Sequence, residues 1–273
     1  MKTQGFERVS FIWSNLPRSF IPHGRLERFV LVAVVDRVGR GGTRKVRSIY
    51  EDVVTDYEAH GHCVRWPVSV EIVGLGIMGA TKSRDSEHTL FVSSRTVESG
   101  VLDGLIAHEM GHMLRTEARH SSHDADVFQA LSREVRIPKD AEDAFGQAFN
   151  HIQDIYADDL TFLVFSANGD DRAYRFFSGW VDWNVGSRGT DRWRNVVLAA
   201  SNGFAIGNLV RHGLLSRDDD LWARVRAFDR DAGFEAVDSL ADLYANLPQD
   251  PSPATFIGGV KALADLMARA ATS

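Results

Sequence analysis

Two histidines stand four residues apart in His108-Glu109-Met110-Gly111-His112, with a glutamate directly after the first. On a helix, residues at i and i+4 stack on one face, one turn above the other. The two ring nitrogens can then meet at one cation, and Glu109 is placed beside them to take a proton from a water activated there. The chemistry this arrangement can do is metal-assisted hydrolysis. The spacing has this meaning only if the segment is helical and its histidines point inward, because an inward imidazole needs a hydrogen bond or a metal.

The flanking residues predict that helix over 98–118. Ser99-Gly100 can start it, and Val101, Leu102, Leu105, Ile106, Met113 and Leu114 supply helical apolar spacing. Val101, Leu105, His108 and His112 share one stripe, so the histidines point among apolar neighbours. Gly111 costs about 1 kcal/mol against alanine inside a helix, which implies a close neighbour, either backbone or substrate.

Catalytic zinc usually has three protein ligands and an open position, so a third must come from elsewhere in the chain. His120 and His123 fall in a segment read as an exposed loop. A longer helix, 139–166, offers Asn150, Asp154 and Asp158 as a polar stripe opposite the apolar stripe Phe145, Phe149, Ile152, Tyr156 and Leu160. A solvated face would explain that polar stripe equally. The apolar run Leu160 to Phe165 instead suggests burial on several sides, where paired aspartates need a cation or donors.

With these residues in view, the chain resembles the gluzincin-like zinc metallopeptidases, which carry H-E-x-x-H on one helix and E-x-x-x-D on a later one. Asp154-x-x-x-Asp158 matches that second spacing, with Asp where the family has Glu. The resemblance covers the segment from about Val68 to Asp159. It implies His108, His112 and Asp154 as zinc ligands, with Asp158 holding a ligand histidine in its tautomer. It implies Glu109 as general base in peptide hydrolysis by a metal-activated water. Such a ligand set carries one negative charge, leaving the site positive toward an oxyanion. The shorter Asp requires the two helices to approach more closely, and His151 is the rival third ligand. His212 could serve as an oxyanion donor or cap a helix.

Around this site the elements change character. Strands are expected at Phe29–Val35, Val68–Val73 and Thr89–Ser93, with a helix from Val46 to His60 and a loop carrying Lys82, Arg84, Asp85 and Glu87. After residue 98 the signals are helical: 98–118, 124–135, 139–166, 171–184, 191–213, 217–228, 234–246 and 253–270, punctuated at Asn168-Gly169-Asp170 and Pro248-Gln249-Asp250-Pro251. The expected fold is α+β: an N-terminal α/β region with a mixed sheet and an edge strand over 1–97, zincin-like helices over 98–166, and a helical region over 167–273. An edge strand can bind an extended peptide by adding it to the sheet. Trp180, Trp183, Trp193 and Trp222 are expected in the core.

Among 273 residues, 44% are hydrophobic and 25% charged, as in an ordinary globular protein. A net charge of −6 argues against a general nucleic-acid binder. Cys63, the only cysteine, cannot form an intrachain disulfide, and it sits with His60 and His62 in a turn. The segment Met1–Glu7 lacks a signal-peptide core and no run is long enough to span a membrane, so a cytoplasmic protein with a peptide or protein substrate is expected. The alternative is a zinc-binding regulatory or interaction module that cleaves nothing; an intact Glu109 favours the enzyme.

Overall fold

A computed structural model describes residues 31–166 and 172–273. Val/Ile-rich runs build the sheet. Strand β1 (Leu31–Asp36) pairs in parallel with β2 (Val68–Val73), and α1 (Thr43–Ala59) makes the crossover that a parallel pair requires. Strand β2 pairs in parallel with β4 (Glu87–Ser93), and β3 (Gly79–Arg84) runs antiparallel to β4. The order is β1-β2-β4-β3, which leaves β3 at an edge.

The segment around Lys82, Arg84, Asp85 and Glu87, expected to be a loop, is a β-hairpin. Arg84 faces Glu87 across a two-residue turn, and Asp85 and Ser86 adopt φ of 54° and 61°. Left-handed backbone at both turn positions matches the right-handed twist of paired strands. Turns of this kind normally advertise themselves with Asn-Gly or Asp-Gly, and Asp-Ser does not.

Helices follow: α2 (Leu102–Glu117), α3 (Ala125–Glu134), a single 3-10 turn at Lys139–Ala141, α4 (Glu142–Ser166), α5 (Arg172–Gly186), α6 (Arg192–Arg211), α7 (Asp220–Ala232), α8 (Val237–Ala245) and α9 (Pro253–Thr272). Several begin at side-chain caps. Asp124, Asp191, Asp219 and Ser252 each accept a backbone N–H of the first turn of α3, α6, α7 and α9. The fold is α+β, a small N-terminal mixed sheet followed by a large helical region. The expected strand start Phe29-Val30, the Met1–Glu7 segment and the Asn168-Gly169-Asp170 break lie outside the described residues. No described helix is long and apolar enough to cross a membrane.

Apolar burial is divided between two cores. One joins α1, the sheet and α2; the other joins α3 through α9. Helix α4 lines both, giving Leu160 and Val164 to the first and Ile152, Ile155 and Tyr156 to the second. Of the tryptophans expected in the core, Trp222 is buried and Trp180 and Trp193 pack against the helical core, but Trp183 is 68% exposed. Trp183 sits on the outer face of α5 with the exposed Gly179, Asp182 and Gly186.

Candidate metal centre

The H-E-x-x-H segment occupies the middle of α2, in the seam between the two cores. Ile106, Ala107, Met110 and Met113 are buried there, and Tyr57 Oη donates to the carbonyl of Ala107 at 2.8 Å, tying α2 to α1. Opposite, α2 packs on α4. A Cβ built on Gly111 would lie 2.6 Å from the carbonyl oxygen of Ala157. The close neighbour implied by that glycine is therefore the backbone of α4. On the other flank a Cβ on Gly79 would meet Leu105 and the carbonyl of Phe91 at 2.8 Å, so β3 also closes tightly on α2. The Gly111 contact brings the short aspartates of α4 within reach of the histidines.

His108 Nε2 and His112 Nε2 are 3.1 Å apart, and Asp154 Oδ1 lies 3.3 Å from His112 Nε2 and 3.7 Å from His108 Nε2. Donors held about 2.0–2.1 Å from a tetrahedral zinc are separated by roughly 3.4 Å, so these three atoms fit one face of such a site. Among the described residues, His108, His112 and Asp154 form the cluster able to hold a metal ion. Their side chains are 25%, 19% and 21% exposed, leaving a path from solvent.

The outer nitrogens are also occupied. His108 Nδ1 donates to Asp158 Oδ1 at 2.6 Å, and Asn208 Nδ2 from α6 donates to Asp158 Oδ2 at 2.5 Å. A histidine whose Nδ1–H is held this way has its Nε2 turned toward a metal. His112 Nδ1 lies 2.7 Å from His123 Nε2. His151, the rival ligand, stacks on Phe204 with ring centroids 4.6 Å apart, and its Nδ1 is 3.5 Å from Asp154 Oδ2. It braces the aspartate from behind. Asn150, first in the expected polar stripe, is exposed, so only the later part of that stripe enters the seam.

Charge in the seam favours a cation. Burial alone would lower the basicity of His108, but Asp158, then Asp154 and Glu109, overcome it and push its pKa up to about 10. Burial would raise Asp154, yet hydrogen bonds from His112 and His151 and the charge of His108 hold it well below the usual carboxylate range. Glu109 is buried beside them at 6% exposure, and its backbone carbonyl accepts from Thr81 Oγ1 of β3 at 3.4 Å.

Other sites expected from the sequence fall elsewhere. His212 stacks on Phe162, centroids 4.0 Å apart, with Nε2 3.5 Å from Asp159 Oδ1, and it follows α6 as its C-terminal cap. That placement favours the helix-capping reading over the oxyanion-donor reading. Cys63 is exposed. His120 and His123, expected in solvent, are corrected by the structure: His120 is 9% exposed and His123 half-buried behind His112. Burial lowers the basicity of both rings, and His112 lowers His123 further. The cause is the docking of residues 119–123 onto the loop before α9, where Ser121 Oγ donates to the carbonyl of Pro251 at 2.7 Å. The histidine density just after α2 was the available sequence signal for this support; nothing marked Asn208.

A family model matches residues 59–271. The chain belongs to that family, a family of unknown function (DUF5781). The DUF5781 match takes in α2, α4, the 119–123 segment and the loop before α9, and so every residue of the cluster. Comparison with curated proteins and with solved structures found no match.

Proposed function

We propose that this DUF5781 protein is a zinc-dependent metallopeptidase of the H-E-x-x-H type, divergent from the gluzincin-like enzymes in having Asp154 as third ligand. The observation that carries the reading is the convergence of His108 Nε2, His112 Nε2 and Asp154 Oδ1 within 3.1–3.7 Å of one another. Asp158 on the outer nitrogen of His108 supports it, as does the solvent path to all three side chains.

Zinc held there would polarise a carbonyl and lower the pKa of water toward ~7. The chain's own residues supply the rest. Asp158 keeps His108 in the Nδ1–H tautomer. Glu109 accepts the proton of the attacking water and returns it to the leaving amine. Strand β3, at the sheet edge beside α2, offers backbone groups with which an extended peptide could pair.

Protein purified without chelator is expected to hold about one zinc per chain by elemental analysis. Absence of stoichiometric transition metal after zinc is added back sinks the reading. In a peptide-library digest, Glu109→Gln is expected to keep its zinc and lose hydrolysis, since an amide cannot take the proton. Near-full activity of that variant would remove Glu109 as base. Stoichiometric zinc with no cleavage by the wild-type protein would instead favour the non-catalytic zinc module.

A further inference from the structure

Residues 120–123 form an unbroken file of hydrogen bonds that begins at a backbone carbonyl of the α8–α9 loop and ends on His112. The direction of each link follows from donor and acceptor chemistry. The carbonyl of Gln249 can only accept, so His120 Nε2, 3.0 Å away, carries a proton. A neutral imidazole has one N–H, which leaves His120 Nδ1 a lone pair. The backbone N–H of Ser122, which can only donate, points at that same nitrogen from 3.3 Å. Ser122 Oγ, 2.7 Å from it, therefore donates its single proton there. The Oγ lone pairs then face His123 Nδ1 at 2.7 Å, so His123 is protonated on Nδ1 and bare on Nε2. That bare Nε2 lies 2.7 Å from His112 Nδ1 and accepts its proton. His112 therefore carries a proton on Nδ1 toward His123, and Nε2 is the atom it turns toward His108 and Asp154.

We propose that His123, Ser122 and His120 are positioning residues that hold His112 in the Nδ1–H tautomer, with the Gln249 carbonyl as the fixed end of the relay, so that His112 presents Nε2 as a metal ligand. The inference rests on the metal-centre reading above. It assigns work to side chains that the hydrolytic chemistry does not use. The relay is rigidly built: Ser122 is fully buried, its carbonyl accepts from Gln153 Nε2 at 3.0 Å, and its loop is pinned through Ser121. The two ligand histidines are thus oriented by different means. His108 is held by a carboxylate, and His112 by a neutral file that sets the tautomer without bringing a second anion to the cluster. The relay also makes the C-terminal loop part of the site, 137 positions in sequence after His112.

The test uses the full chain. In ¹⁵N-labelled wild-type protein at neutral pH, two-bond imidazole spectra are expected to show His112 and His123 protonated on Nδ1, with His123 bare on Nε2 and His120 protonated on Nε2 and bare on Nδ1. The opposite tautomer at His112 or His123 overturns the proposal, and this measurement needs no variant. Zn²⁺ alone is then titrated against a competing chelator. His123→Gln, whose Oε1 can accept from His112 Nδ1, is expected to stay within a few-fold of wild type. His123→Leu, which cannot, is expected to lose ~10–100-fold in affinity. Wild-type affinity in the leucine variant also overturns the relay. If wild type takes up no Zn²⁺, the metal reading fails, while the tautomer spectrum still decides the relay.

Discussion

Asp154 and Asp158 sit one turn apart on α4 and touch different atoms of the same histidine. Asp154 Oδ1 faces both Nε2 atoms, whereas Asp158 Oδ1 holds only the outer nitrogen of His108. On the proposed reading, removing Asp154 as a ligand should cost more zinc affinity than removing the acceptor behind a ligand, which typically costs ~10–100-fold. Chelator competition is expected to rank Asp154→Ala below Asp158→Ala, with His151→Ala the mildest because it only braces Asp154 from 3.5 Å. An Asp158→Ala variant weaker than Asp154→Ala would reverse the assignment of the two aspartates.

At the scale of elements, the α2–α4 approach decides whether the cluster can form. Gly111→Ala would gain about 1 kcal/mol in helix propensity but place a methyl against the Ala157 carbonyl, where overpacking costs roughly 1–3 kcal/mol. Chemical denaturation is expected to show net destabilisation, together with weaker zinc binding as α2 is pushed off α4. Gly146→Ala, on an exposed part of α4 with nothing within 4 Å of the new methyl, is the matched control and should stabilise.

The junction of α7 and α8 gives a pH prediction. Asp229 Oδ2 accepts the N–H groups of Ala236 and Val237, each at 2.7 Å, while Oδ1 is buried without a partner. Burial outweighs the two donors and pushes its pKa up to about 6. The folded state therefore binds this proton more tightly than the unfolded chain. Its contribution to stability is fully present below about pH 4 and is lost as pH rises through about 6. Asp229→Asn removes that dependence. The stability difference between variant and wild type should move in the variant's favour by on the order of 2 kcal/mol between pH 4 and 7. A difference that stays flat across that range would exclude burial as the dominant influence on Asp229.

For the molecule as a whole, the cluster bridges two cores: both histidines come from a helix of the sheet-side core, and Asp154 lies on the helix that lines both. An ion held there would couple them. Zinc at 100 times its Kd would stabilise the native state by about 2.7 kcal/mol, a rise in Tm of roughly 5–10 °C for a chain of this size. Calorimetry is expected to show that shift in wild type and its near-loss in Asp154→Ala.

The helix carrying His108 and His112, the later helix carrying Asp154 and Asp158, and most element positions were legible in the chain. Their apolar spacing is local, and periodicity reports local geometry directly. The aspartates' stripe by itself fitted a solvated face equally well; only the packing of α2 against the carbonyl of Ala157 turns it inward. The β3 hairpin was missed because Asp85-Ser86 lacks the usual glycine. His120 and His123 read as loop residues because their burial comes from the loop before α9, which no local pattern can report. Asn208 and the Gln249 carbonyl are further cases of the same kind. Residue type and spacing along a helix select what chemistry is available, whereas the support behind each histidine depends on contacts between segments 50 to 130 residues apart, which only the folded chain brings together.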